Sequence, residues 1–209
     1  MTACTGLGNF ILKTPMIKKI HELYPDAEID LIGGCPDNAE FIFKECRYIN
    51  KVHKYSKNFS LLEKVFFFKS LSKENYDVVF IPFDDETKSL WWGVRLINPH
   101  QIVTHYFLKK ITIKRLVKFG LVGLGKNITM VPFLAGRHEI DLNYDLLQYY
   151  INKPIEREYQ PFMSFSKNTH VLDKFGLKNK EYFALQIGAR SGLPTPKRWG
   201  IENFKKLIL

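Results

Sequence analysis

The sequence predicts an α/β protein built on a mostly parallel sheet with helices on both faces. Three observations carry that expectation. Strand-like and helix-like segments alternate to about residue 105, the connections between them are short, and a glycine turn near the start passes the chain from a strand into a helix.

That turn is "TGLGNFILKTP", residues 5–15, where two glycines and a polar cap precede an apolar stretch and Thr-Pro. The strand before it has only Met1 to Cys4 to draw on. Leu12, Met16, Ile20 and Leu23 then recur at helical spacing. Thr14-Pro15 is a helix start in its own right, with Thr as cap and Pro at the first helical position. The helix therefore starts there or is kinked there, and Pro25 and Asp26 end it. "AEIDLIGG" (27–34) alternates and is rich in Ile and Leu, which reads as a strand closed by glycines. "AEFIFKE" reads as a short helix, "INKVHKY" (49–55) as a strand, and "SLLEKVFFFKSLSKENY" as an amphipathic helix. "DVVFIPF" (77–83) is a buried strand, "ETKSLWWGVRLI" a helix and "QIVTHYF" a further strand.

From about residue 110 the rhythm changes. "GRHEIDLNYDLLQYYI" (136–151) is a longer helix with Leu142, Leu146 and Tyr149 or Tyr150 on one face. The loose, Pro-containing "NKPIEREYQPFMSFSKN" follows and suits a linker. A helical "HVLDKFGL", a strand "YFALQIG" (182–188), a loop "ARSGLPTPKRW" and a helix beginning "GIENFKKLIL" then open a new unit. The expected organisation is an N-terminal Rossmann-like domain over 1–155, a linker over 156–170, and the beginning of a second α/β domain over 171–209.

Composition narrows the class. With 45% hydrophobic and 25% charged residues among 209, the chain reads as ordinary globular protein. No apolar run reaches the roughly 18 residues of a membrane span. The three cysteines, Cys4, Cys35 and Cys46, lack metal-type spacing and read as reduced cytosolic thiols. A net charge of +10 calls for an anionic partner. "YFLKKITIKRLVKFGLVGLGK" (106–126) holds six basic residues and no acid. It is either a solvated basic face or a surface that rests on anionic lipid. Nucleic acid is disfavoured, because no recognition motif accompanies the charge.

Several apparent motifs fail on context. Gly120 to Lys126 fits the phosphate-loop spacing, but no strand precedes it, Asn127 stands where Ser or Thr should be, and "ITMVPF" after it is not helical. "GARSG" (188–192) lacks the spacing of a nucleophile elbow. The six histidines are scattered and suggest no metal site.

Two stretches remain. At Gly6, Gly8 and Asn9, backbone amides at a turn into a helix could hold an anion or a substrate oxygen, or the turn could be simply tight. In "ALQIGARSGLPTPKRWGIENF" a strand leads into a loop with Arg190, Lys197 and Arg198. Cations at the carboxyl edge of a parallel sheet suit a diphosphate, and a basic surface loop is the alternative.

Together with "RHEIDLNYDLL", these stretches resemble the lipopolysaccharide heptosyltransferase family, glycosyltransferase family nine, along nearly the whole chain. The opening "GLGNFILKTPMIKKIHELYPDAEIDLIGG" is similar to that family's G-[IL]-G-D-x-x-x-x-T-P signature, and "IGARSGLPTPKRWGIENFKKL" to its later K-R-W signature. The resemblance implies a GT-B architecture of two Rossmann-like halves. The first would receive a lipid-linked oligosaccharide acceptor and the second a nucleotide sugar of the ADP-heptose kind. The implied reaction is inverting and needs no metal or other cofactor. A carboxylate deprotonates the acceptor hydroxyl, which attacks the anomeric carbon as the diphosphate leaves.

Asn9 stands where the family places that carboxylate, and an amide orients a hydroxyl but removes no proton near neutral pH. Gly6, Gly8 and Asn9 would line the acceptor side, with Lys197 and Arg190 on the donor phosphates and Arg198 sharing that role or facing solvent. The chain ends at Leu209, before the family's glycine-rich donor segment. The expectation is therefore a cytoplasmic transferase, peripheral on the inner face of the membrane, that is inactive as these 209 residues. The alternatives are a non-catalytic binding or partner protein, or a decayed copy, that keeps only the acceptor-side domain, and a nucleotide-dependent oxidoreductase. The oxidoreductase reading lacks G-x-G-x-x-G, since Ile11 follows Gly6 and Gly8.

Overall fold

A computed structural model of the chain describes residues 1–3, 6–34, 43, 45–56, 58–83, 88–106, 127–163, 170–178, 182 and 200–208. They belong to two compact units, Met1–Phe165 and Ser166–Leu209.

The first unit carries strands β1 (Thr2–Ala3), β2 (Leu31–Gly33), β3 (Val52–Lys54), β4 (Val78–Ile81), β5 (Gln101–Tyr106) and β6 (Asn127–Pro132). They form two three-stranded sheets, β1-β2-β3 and β4-β5-β6, and every pairing is parallel. β1 lies against β4 without a ladder between them. The strands thus run β3-β2-β1 and then β4-β5-β6, the doubly wound order whose direction of growth reverses between β1 and β4. Parallel pairing requires long crossovers, and helices supply those from β1 to β2, from β3 to β4 and from β4 to β5.

The helices of this unit are α1 (Leu7–Ile11), α2 (Thr14–Leu23), α3 (Leu61–Leu71), α4 (Lys88–Ile97) and α5 (Glu139–Ile151). Consecutive strand residues feed opposite faces of the sheet. Leu31, Phe80 and Val103 join Phe10, Met16, Ile17, Val131, Leu146 and Leu147 in one core. Ile32, Val79, Ile81 and Ile102 join Phe68, Leu71, Leu90 and Val94 in the other. Such alternation is the period-two geometry of a strand buried on both faces. Each of these side chains contributes about 1.5–3 kcal/mol by leaving water.

Local chemistry sets the helix ends. Ser60 caps α3 with a capping box, its hydroxyl accepting from the Glu63 amide while Glu63 accepts from the Ser60 amide. Asn98 and Asn152 end α4 and α5 in left-handed backbone, where Asn is tolerated. α3 and α4 approach closely at Gly93, where the Phe68 ring fills the place of a side chain.

Two expectations need correction, and one that was open is resolved. Thr14 is the first residue of α2 and not its cap: Lys13 holds the N-cap position without a side-chain capping bond, while the Thr14 hydroxyl donates back to the Ile11 carbonyl at 2.7 Å and accepts from the Phe162 amide at 2.8 Å. The helix starts at Thr14 after a separate short α1, and is not one kinked rod. Residues 127–132, given no element above, form β6, and "RHEIDLNYDLLQYYI" turns helical only at Glu139, after Gly136 at φ +87° and an extended His138. The helix expected over "AEFIFKE" lies outside the described residues except at Phe43 and Glu45, and most of 106–126 and of strand 182–188 also lies outside them.

In the second unit, α6 (His170–Lys174) ends before Gly176 at φ +63°, and α7 (Ile201–Ile208) follows Gly200 at φ +69°.

Candidate functional site

The candidate site grows from the carboxyl end of β1. Where the order of a parallel sheet reverses, the connections on either side diverge and leave a crevice at the strand ends. Beyond Ala3, Gly6 is the N-cap of α1 with extended backbone (φ −131°, ψ 161°), and no side chain caps this helix. A methyl group placed on Gly6 or Gly8 would meet nothing within 4 Å among the described residues, and neither residue has positive φ. Neither backbone geometry nor packing demands glycine here. What glycine leaves is open space against the main chain, at the edge where a ligand would approach. Asn9, half-buried, sits in the same five-residue helix.

Two residues around this turn escaped the sequence reading. Lys13, four positions after Asn9, is 1% exposed, a level of burial lysine tolerates only with its charge satisfied. Asn143 of α5 is 2% exposed and donates from Nδ2 to the Leu12 carbonyl at 3.1 Å. Tyr144 adds a bond from its hydroxyl to the Pro15 carbonyl at 3.3 Å. α5 thus holds the α1–α2 junction from behind. The only advance signal was "ILKTP", a lysine inside an apolar run.

The two aspartates of "RHEIDLNYDLL", Asp141 and Asp145, are committed to structure. Arg157 donates to Asp141 Oδ1 at 2.9 Å and to Asp145 Oδ1 at 2.7 Å, and Arg137 donates to Asp145 Oδ2 at 2.6 Å. The Tyr159 hydroxyl donates to Asp141 at 2.7 Å. Burial pushes the Asp141 carboxyl up, but the bonds from Tyr159 and Arg157 outweigh it and hold the group below the usual carboxylate range. A carboxylate so satisfied is a poor proton acceptor. The network straps residues 157–159 to α5, and His138 completes it by capping the helix through Nδ1.

Aromatic rings gather at the carboxyl ends of β4 to β6. Phe83 and Phe133 lie 5.1 Å apart, each just over 6 Å from His105. His105 is buried and donates from Nε2 to the Leu142 carbonyl at 2.9 Å, which makes it a core histidine.

A cavity of 380 Å³ opens at the opposite edge, lined by Met1, Asp30, Tyr76, Asp77 and Val78 among others. It lies before the strands, where two-residue β1 leaves the approaches to β2 and β4 unbridged, so it is a gap in the sheet. Beside it, Asp30 accepts from Tyr76 at 2.6 Å, from His53 at 3.0 Å and from Asn50 at 3.1 Å. This cluster ties the entries of β2, β3 and β4 together.

The structure therefore brings Gly6, Gly8 and Asn9 to one place, while Arg190, Lys197 and Arg198 lie outside the described residues. Among the described residues no cluster of His, Cys, Asp and Glu could hold a metal, and no helix is long and apolar enough to cross a membrane.

Fold and edge together define a doubly wound α/β protein whose fold is similar to that of GT-B-like glycosyltransferases. The structure resembles glycosyltransferase family nine. It matches the glycosyl transferase family 9 crystal structure from Veillonella parvula DSM 2008 with a TM-score of 0.69 at 15% identity, over 99% of this chain and 56% of that one. It matches E. coli ADP-heptose lps heptosyltransferase II with a TM-score of 0.55 at 14% identity, over 86% of this chain and 50% of that one. The chain thus spans about half the length of these structures. No family model and no curated protein sequence matches it.

Proposed function

We propose that this chain is the acceptor-side part of a sugar-nucleotide glycosyltransferase acting on a lipid-linked oligosaccharide. The observation that carries the reading is the glycine turn. Gly6 and Gly8 leave unoccupied space at the reversal point of a sheet whose structural neighbours are glycosyltransferases. The acceptor hydroxyl would approach this turn, with Asn9 orienting it by hydrogen bonds. An ADP-heptose-like donor would be held through its diphosphate by Arg190 and Lys197, with Arg198 beside them. The basic stretch 106–126 would keep the protein near an anionic membrane that carries its acceptor.

Asn9 supports a second reading, because an amide supplies no general base: the chain would bind acceptor without transferring sugar. One experiment separates the two. ADP release is followed with an ADP-sugar donor and a lipooligosaccharide acceptor, for the 209-residue chain and for a chain extended with a family-nine donor half, each with Asn9 and with Asn9→Asp. The transferase reading expects no turnover by the short chain and a gain of about 10²–10⁴-fold on Asn9→Asp in the extended one. Equal rates with Asn and Asp would move the base elsewhere. Acceptor binding with no turnover in any form would favour the non-catalytic role.

A further inference from the structure

The outer surface of the α3–α4 helix pair takes no part in the glycine-turn site. Phe68 and Leu71 of α3, and Leu90, Val94 and Ile97 of α4, point into the sheet core. The faces turned away from the sheet should then be polar. They are not. Leu62 and Phe66, one turn apart on α3, are each 69% exposed, and Leu61 beside them is 78% exposed. Trp92 and Leu96, one turn apart on α4, are 50% and 39% exposed. Since Phe68 packs onto Gly93, next to Trp92, the two apolar stripes lie on neighbouring helices.

Among the described residues, the charges around these stripes are mainly positive. Lys69 continues the α3 stripe, Lys73 follows it, and Arg95 lies between Trp92 and Leu96. Two nearby acids are engaged locally: Glu63 accepts from the Ser60 amide at 2.7 Å, and Glu74 pairs with Lys51 at 3.3 Å.

We propose that this α3–α4 face docks on an anionic lipid bilayer. Large apolar side chains of Leu, Phe and Trp fringed by lysine and arginine are the chemistry of an interfacial helix. Its apolar groups enter the acyl boundary while its cations meet headgroup phosphates. A second copy of the chain would also cover the apolar stripes, but it would set Lys69, Lys73 and Arg95 against their own kind. The +10 net charge of the chain adds to the attraction of an anionic surface and to the repulsion of a copy. The inference deepens the membrane part of the proposed function, and its test does not depend on sugar transfer.

The test is co-sedimentation of the 209-residue chain with phosphatidylcholine vesicles, with and without phosphatidylglycerol. Brominated lipids are included to quench tryptophan emission. The expected result is binding that requires phosphatidylglycerol, weakens with salt, and brings quenching that is lost in Trp92→Phe. The exposed pair Phe66→Gln/Trp92→Gln should abolish binding at an unchanged melting temperature. Lys69→Gln and Lys73→Gln should each weaken it about fivefold. Absence of binding to either vesicle overturns the proposal. So does binding that ignores Phe66→Gln/Trp92→Gln but is lost when the lysines of 106–126 are neutralised, which assigns the contact to that segment. A dimer in sedimentation equilibrium that dissociates on Phe66→Gln/Trp92→Gln, without vesicle binding, assigns the face to self-association.

Discussion

The Asn143 side chain donates to the Leu12 carbonyl at 3.1 Å, joining residues 131 positions apart. It makes α5 the support for the junction on which the glycine turn rests. The Asn143 Oδ1 atom is buried with no partner among the described residues, so the residue already carries a desolvation cost. Asn143→Ala should leave the Leu12 carbonyl unpaired and lower stability by about 1–3 kcal/mol, read from urea denaturation. Asn143→Asp should be worse, because it buries a carboxylate against a carbonyl.

Asp30 gives the protein an acid-sensitive clasp. Burial pushes its carboxyl up, but bonds from Tyr76, His53 and Asn50 prevail and hold it below its ordinary value. The unfolded chain, with a pKa near ~3.9, then binds more protons than the folded one in that range. The stabilisation is complete above the unfolded pKa and is lost as pH falls through the folded value. Asp30→Asn should therefore cost about 1–3 kcal/mol at pH 7 and flatten the acid limb of the stability profile below about pH 4. Parallel acid limbs in variant and parent would assign the pH dependence to other carboxylates.

The sequence exposed what short-range patterns control. Apolar runs such as "DVVFIPF" and the spacing of Leu12, Met16, Ile20 and Leu23 made the parallel α/β fold readable, and the glycines with Asn9 marked the sheet edge. β6 was not readable, since "NITMVP" mixes polar residues and a proline and gains its strand character only by pairing with β5. Thr14 has the composition of a cap, but its hydroxyl is claimed by Ile11 and by Phe162, 148 residues away. The contacts of Asn143 and Asp30 are likewise long-range. Nothing local to "DLNYDLL" or "AEIDLIGG" announces them.

Gly93 tests the close approach of α3 and α4. A side chain there would come within 2.1 Å of the buried Phe68 ring, itself packed against Tyr55 and Phe67. Gly93→Ala gains about 1 kcal/mol of helix propensity but incurs overpacking of about 1–3 kcal/mol, so the net effect should be destabilising. Phe68→Leu in the Gly93→Ala background should restore part of the loss. Additive losses in the two-variant cycle would show that the residues do not interact.

Gly8 separates the use of the turn from its stability. Its backbone is helical, its φ is not positive, and a methyl group placed on it meets nothing within 4 Å among the described residues. Gly8→Ala should therefore fold as well as the parent or better, by up to about 1 kcal/mol, because alanine is the better helix former. If that open space receives the acceptor, the same methyl group stands where substrate atoms should be. A misplacement of about 1 Å in an oriented complex costs on the order of 10²-fold. The expected outcome is a melting temperature that is unchanged or raised, with turnover by a donor-extended chain carrying Asn9→Asp reduced by about that factor. Gly6→Ala should behave in the same way, less a few tenths of a kcal/mol because glycine is the better N-cap. Full turnover in both variants would remove the glycine turn from the acceptor site. A lowered melting temperature would mean that glycine is needed there for folding.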